Sequence, residues 1–216
     1  MVWAQIWESR VQILVGLEGT VVISAIALVT STLFGGLVGI FNARGPRALK
    51  WFLRIYIEIF RGSPLLAQLL IVYFGSAYLG FDGVTAFMAV VVTLTLYEGA
   101  YISEIVRSGL EAVPRGQEEA ARTVGLGTFQ RLRYVLLPQA IRIIMPALVG
   151  QWISLVKDSA LSSIVGYSDL IQQGQAIYAR IGHPFAVLAV IGVAYFLICS
   201  PLTMLARRLD RRRVRT

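Results

Sequence analysis

"GTVVISAIALVTSTLFGGLVGIF", Gly19 to Phe41, contains no ionisable side chain. As a helix rising 1.5 Å per residue it extends about 34 Å, enough to cross a hydrocarbon core of about 30 Å. A helix apolar on every face is buried either in a large protein or in a bilayer. The surrounding composition favours the bilayer: over 216 residues the chain is 56% hydrophobic and 15% charged, with mean hydropathy +0.70. Soluble domains run roughly 45–50% apolar and about 25% charged. Too little polar sequence remains for a soluble domain of useful size, so the chain reads as an all-α polytopic membrane protein.

Working outward, Gly62 to Phe81 and Pro184 to Ala206 are equally long and uncharged. Gly83 to Tyr97 and Ile143 to Val156 are shorter, and become spans only if Glu98 and Glu104, or Lys157 and Asp158, enter the membrane. Charge decides the count. Five spans, at about 12–42, 55–80, 83–106, 138–158 and 184–206, place the large basic clusters on one side: Arg44, Arg47, Lys50 and Arg54; then Arg107, Arg115, Arg122, Arg131, Arg133 and Arg142; then Arg207 to Arg215. By the positive-inside rule the N-terminus is outside and the C-terminus cytoplasmic. The chain is then one membrane domain, 1–216, with a cytoplasmic loop at 107–137 and an external loop at 159–183 that carries a short amphipathic helix at the outer mouth.

The net charge of +8 raises nucleic acid, with Arg211, Arg212, Arg213 and Arg215 as the place to look. Basic residues beside spans account for it without a nucleic-acid partner. Cys199 and His183 are each alone, which removes disulfides, cysteine or clustered-histidine metal sites and a His-based triad. No catalytic residue, cofactor or metal is expected. "MVWAQIWESRVQILVGLEG" has no basic region ahead of its apolar residues, which argues against a cleaved signal peptide.

Two spans look discontinuous. In "YIEIFRGSPLLAQLL" Ser63 can cap a helix and Pro64 suits its first position. "LPQAIRIIMPALVGQWISLVKDSAL" carries Pro138, Pro146 and Gly150, which loosen a helix. Irregular backbone at membrane depth lines protein or a pathway; an ordinary kinked helix is the alternative.

Among the ionisable residues, Glu98 and Glu104 lie six positions apart, about 600° around a helix, and point to different faces. Tyr97, Tyr101 and Glu104 can share one stripe. Either Glu104 and Asp158 contact a substrate, or Asp158 and Lys157 snorkel to the outer interface while Glu104 pairs with Arg107 or Arg142. No phosphate-binding loop exists, because Lys50 is followed by Trp51 and Lys157 by Asp158. Uphill transport would draw on a coupled ion or on another subunit.

"EEAARTVGLGTFQRLRYVLLPQA", Glu118 to Ala140, is helix-prone and charged in an apolar chain. Pro114 and Gly116 introduce a helix over about Gln117 to Val124, with Glu118 and Glu119 in its favourable first turn. Ala120 and Ala121 offer a small-residue surface, Gly125 permits a left-handed turn, Thr128 can cap a second helix, and Pro138 stops it. A docking surface and a plain loop helix are both open.

Glu119, Ala120, Ala121, Gly125, Val135, Leu137 and Pro138 stand at the spacing of the E-A-A, G, I-x-L-P motif of ABC importer permeases, with Val135 the one conservative departure. Similar stretches include Glu18-Gly19-Thr20, "YIEIFRGSPLLAQL", "GAYISEIVRSGLEAVPRGQ" and "GYSDL". The chain resembles the polar amino-acid uptake branch, of the type serving histidine, glutamine, glutamate and arginine, over nearly its whole length. That resemblance implies a type I importer permease of five transmembrane helices in the bacterial inner membrane. Two permease subunits, identical or paralogous, would surround the pathway amid membrane lipid. Two ATP-binding-cassette ATPase subunits would hydrolyse ATP below, and an extracytoplasmic binding protein would deliver the amino-acid substrate. Glu119, Ala120, Ala121, Gly125, Leu137 and Pro138 would couple to the ATPase; Glu98, Tyr101, Glu104, Gln151, Ser154 and Asp158 would line the pathway. An ion-coupled carrier using Glu98, Glu104 and Asp158 is the rival.

Overall fold

The computed structural model describes residues 2–213, with side chains through residue 209. Arg215 lies outside the described residues, and the side chains of Arg211, Arg212 and Arg213 are likewise outside the description. The regular elements are all helices: α1 (Val2–Glu8), α2 (Arg10–Arg44), α3 (Arg47–Gly62), α4 (Leu65–Tyr78), α5 (Ala86–Glu111), α6 (Arg115–Thr123), α7 (Thr128–Gln130), a π turn (Arg131–Leu136), α8 (Leu137–Asp158), a 3₁₀ segment (Ser159–Val165), α9 (Leu170–Ile181) and α10 (Pro184–Arg213). Four stretches among the described residues are long and apolar enough to cross a membrane: α2, α5, the run from α7 to Val165, and α10 to Leu209. A fifth crossing results if α3 and α4 act together.

The bundle is organised on α2 and α5, which pack along their lengths. The buried stripe of α2 is built largely on small residues at helical spacing, Gly16, Thr20, Ser24, Ala27, Ser31, Gly35 and Gly39, with the larger Ile23, Val38 and Asn42 beside them. Small residues are what allow helices to approach in lipid, where no hydrophobic force drives them together. A Cβ on Gly35 would lie 2.6 Å from the Gly99 carbonyl oxygen, and one on Gly39 2.5 Å from that of Ser103. The opposite face, including Val22, Val29, Leu33 and Leu37, is exposed and apolar as a lipid-facing surface should be. A second core unites Ile102, Val106 and Leu110 of α5 with Leu136, Ala140, Ile144 and Leu148. A third joins Ile6, Leu170, Ile177, Val187 and Ile191 of α1, α9 and α10.

The break expected in the 55–80 span is present: α3 and α4 meet at a bend of 104°. Several other local expectations need correction. Ser63 ends α3 rather than capping α4, because its hydroxyl donates to the Ile59 carbonyl at 2.7 Å, and the N-cap position of α4 falls to Pro64. Gly127, not Thr128, precedes α7, with the Gln130 Oε1 accepting from its backbone N–H at 2.8 Å. Pro138 does not stop a helix. It sits in the first turn of α8, where its missing N–H costs little, and the helical path runs from Thr128 to Val165 because the wide π turn ahead of it leaves room for the ring. Helical structure also occupies the start of the expected 107–137 loop, since α5 reaches Glu111.

In the 159–183 segment, Asp169 caps α9 by accepting from the Gln172 N–H at 2.7 Å and from the Ser162 hydroxyl at 2.8 Å. Burial raises its pKa from the usual aspartate value, against the opposing pull of those hydrogen bonds.

Candidate functional site

Two polar regions stand out, joined by one helical path. The first lies between α5 and α8. Glu98 is fully buried, and its Oε2 accepts from the Gln151 Nε2 at 2.7 Å. Asp158, at the end of α8, faces the same carboxyl group, so α5 supplies one acid and α8 supplies the other together with an amide. Tyr97 and Tyr101 are adjacent on α5, with hydroxyls 3.4 Å apart, and the Arg61 guanidinium stacks over the Tyr101 ring at 5.0 Å. Glu98 Oε1 has no hydrogen-bond partner among the described residues. Charge at bilayer depth costs about 2.5–3.5 kcal/mol on insertion scales, so such groups face a partner or a pathway rather than lipid.

Of the six residues expected there, Glu98, Tyr101, Gln151 and Asp158 come together. Ser154 is exposed one turn before Asp158. Glu104 stands apart, toward the far end of α5. Arg107 holds it through Nε at 3.0 and 3.1 Å and Nη2 at 2.8 Å, and Asn42 Nδ2 donates to it at 3.1 Å. Of the two pairings open from the sequence, the structure has the one with Arg107. Arg61 and Asn42 were missed. Arg61 could have been noticed as a charge at the edge of an apolar run, whereas Asn42 meets Glu104 only through tertiary contact.

The second region is the loop from α6 to the π turn. Arg44, ending α2, pairs with Glu118 at 2.8 Å and pins the first turn of α6. The exit from α6 is closed by two hydrogen bonds, Gly125 N to Arg122 O at 3.0 Å and Leu126 N to Ala121 O at 3.2 Å, with Gly125 at φ +80°. This pattern requires a left-handed residue just past the helix, a conformation that glycine takes without penalty. Gln139 Nε2 donates to Gln117 Oε1 at 3.2 Å and ties α8 to α6. Glu119 and Ala120 are exposed, as are the apolar side chains of Val124, Phe129 and Tyr134. Ala121 is only 5% exposed, so it belongs to the packing of the loop and not to its free surface. Leu137 is half-buried and Pro138 exposed.

Among the described residues no three His, Cys, Asp or Glu side chains gather into a metal-binding group. A multi-helix membrane bundle with acids at depth and a pinned, exposed polar loop defines a class, that of multi-pass membrane transport components. The chain belongs to the family of binding-protein-dependent transport system inner membrane components, which matches residues 31–215. It is an inner-membrane protein with several crossings. It is 33% identical over 211 residues to the glutamine transport system permease protein GlnP of Escherichia coli, covering 97% of this chain and 96% of that one. Among solved structures, it resembles an amino acid ABC transporter crystallised with histidines, at TM-score 0.87 and 33% identity over 96% of each chain. A second likeness is to the MetNI methionine ABC transporter in inward-facing conformations, at TM-score 0.79 and 25% identity over 93% of this chain and 95% of that one. The fold is thus that of ABC importer permeases.

Proposed function

We propose that this chain is the non-catalytic permease subunit of an ABC importer for polar or charged amino acids. The observation that carries the reading is the loop from Glu118 to Pro138, which offers exposed Glu119, Ala120, Val124 and Phe129 on a frame held by Arg44, Gly125 and Gln139. A frame of that kind suits a lever better than a loose loop. Two permease subunits, identical or paralogous, enclose the pathway, with the N-terminus outside and the α6 loop and C-terminus cytoplasmic, as the basic residues favour. Two ATPase subunits dock on the loops, and an extracytoplasmic binding protein presents the amino acid.

The mechanism follows from continuity. From the loop, the π turn and α8 run without a break to Gln151 and Asp158, and α8 alone spans about 33 Å. Closure of the ATPase pair on ATP pulls the loops, and a rigid helix carries that displacement to Gln151 within the span and to Asp158 at its far end. Glu98, Tyr101, Gln151, Ser154 and Asp158 form the pathway lining, and Glu104 contributes from within its ion pair with Arg107. The supporting argument for amino acids is the pairing of carboxyl and amide groups at depth, together with the substrates in the relatives' names.

The test is co-purification. The tagged chain, extracted from its native membrane in mild detergent, should bring an ATP-hydrolysing subunit with it. Uptake by proteoliposomes containing this chain and no ATPase would establish an ion-coupled carrier instead.

A further inference from the structure

Helix α3 presents three faces. Leu53, Tyr56, Ile57 and Phe60 turn into the bundle, where the Tyr56 hydroxyl donates to the Leu96 carbonyl and its ring packs edge-on against Phe34. Trp51, Phe52, Ile55 and Ile59 stand together on a second face and are exposed. Arg47, Lys50 and Arg54, at the i, i+3, i+7 spacing of one stripe, make the third. Among the described residues neither arginine has a hydrogen-bond or ion-pair partner, and Lys50 donates once, to the Ala43 carbonyl at 2.7 Å. No acid interrupts the stripe before Glu58, which pairs with none of the three. Contacts also fix the inclination of the helix. Gly35 lies against Gly99 and Gly39 against Ser103, so α2 and α5 run side by side in one direction and Tyr101 is level with Leu37. Arg61 stacks over Tyr101, and Lys50 reaches Ala43, about 9 Å further along α2. From Lys50 to Arg61 α3 is about 16 Å long, so it lies at more than half a right angle to the bundle axis, beside the end of α2.

An oblique helix with aromatic and aliphatic residues on one free face and cations on the next has the chemistry of a membrane-surface helix. We infer that α3 binds the headgroups of anionic phospholipids in the leaflet on the side of the α6 loop. Phosphates lie along Arg47, Lys50 and Arg54, and acyl chains cover Trp51, Phe52, Ile55 and Ile59. Charge selects this occupant. A zwitterionic lipid would cover the apolar face and leave the stripe without a counter-charge, whereas a soluble acidic partner would match the stripe and leave Trp51 and Phe52 in water. By the positive-inside rule the leaflet is the cytoplasmic one. Arg44, three residues before the stripe, holds Glu118 at 2.8 Å, so the bound lipid gives the frame of the α6 loop a footing in the membrane surface.

The full chain is placed in nanodiscs, and quenching of Trp51 fluorescence by brominated phosphatidylglycerol is compared with quenching by brominated phosphatidylcholine. Trp3→Phe and Trp7→Phe remove the exposed indoles at the other end of the bundle, and subtracting the same protein with Trp51→Phe isolates Trp51 from Trp152. Both lipids should quench Trp51, and the anionic one should be preferred. Arg47→Gln, Lys50→Gln and Arg54→Gln, introduced singly and then together, should each lower that preference about fivefold. Quenching by phosphatidylcholine should persist in every variant, which verifies that α3 is folded and seated. No quenching by either lipid would mean that protein, such as a second permease copy, covers Trp51, and overturns the proposal. Equal quenching by the two lipids, or a preference that survives in the triple variant, overturns it too. So does loss of the preference to inorganic phosphate at constant ionic strength, which would make the stripe a site for free phosphate. The measurement needs neither ATP nor a transported substrate, so its outcome is separate from that of the importer reading.

Discussion

Glu98 has no exposed surface, whereas Glu119, a short helix further on, is open to solvent. The two acids mark regions built on opposite principles. Around Glu98 the chain brings polar groups together from α5 and α8 and leaves one carboxylate oxygen unmatched. Around Glu119 part of the polar surface serves the frame: Arg44 pairs with Glu118, Gln139 with Gln117, and Gly125 closes the helix. The exposed surface of the loop mixes charge, at Glu119, Arg122 and Arg133, with the apolar side chains of Val124, Phe129 and Tyr134, which water does not satisfy. In the bilayer the unmatched group is the polar one, and in water it is the apolar one. Each region exposes what its own solvent does not satisfy, which suits a pathway in the first case and a docking surface in the second.

The comparison can be broken most severely by removing the scaffold beneath both regions. Gly39→Leu drives a side chain into the Ser103 carbonyl and should separate α2 from α5, at a cost of about 1–3 kcal/mol for overpacking alone. A lower melting temperature and loss of the monodisperse peak after heating are the expected readouts. Gly125→Val acts on the loop only. A left-handed conformation costs an L-residue about 1–2 kcal/mol, with β-branching adding to it. Membrane insertion should be normal, while binding-protein-stimulated ATP hydrolysis and uptake by the reconstituted complex fall at least tenfold. Unchanged stimulation would show that the turn is not part of the lever.

Asp158→Asn and Glu98→Gln act on the acid cluster between α5 and α8 only. A hydrogen bond to a charged group is worth about 1.5–3 kcal/mol, so half-maximal uptake should need roughly ten- to a hundredfold more substrate, with ATPase docking unaffected. Glu104→Gln should change apparent affinity less, because the carboxylate is already held by Arg107. The smallest effect is expected for Glu118→Gln. Its pair with Arg44 is partly exposed and worth about 0–1 kcal/mol, so coupling should weaken at most a few fold, and the difference should shrink with added salt.

The crossings were legible because a bilayer imposes a simple demand, and a stretch such as Gly19 to Phe41 meets it with no reference to the rest of the chain. The break at Ser63 and Pro64 was legible as a break; its 104° angle was not, since packing of α4 against α5 sets the angle. Gly125 could be read because a left-handed turn has few substitutes. The path through Pro138 could not, because the sequence shows the proline and not the wide turn that accommodates it. Six residues of separation sufficed to place Glu98 and Glu104 on different faces. The partners of each, Gln151 and Asn42, are 53 and 62 residues distant and emerge only when helices pack.

The π turn at Arg131–Leu136 has a rotational consequence. A wide turn takes up about one residue more than an α turn, so every side chain beyond it is set back by about 100° around the axis. Gln151 and Asp158 meet Glu98 in that shifted phase. The turn thus works like the key of a lock cylinder: it leaves the length of the rod almost unchanged and selects which of its faces is presented to α5.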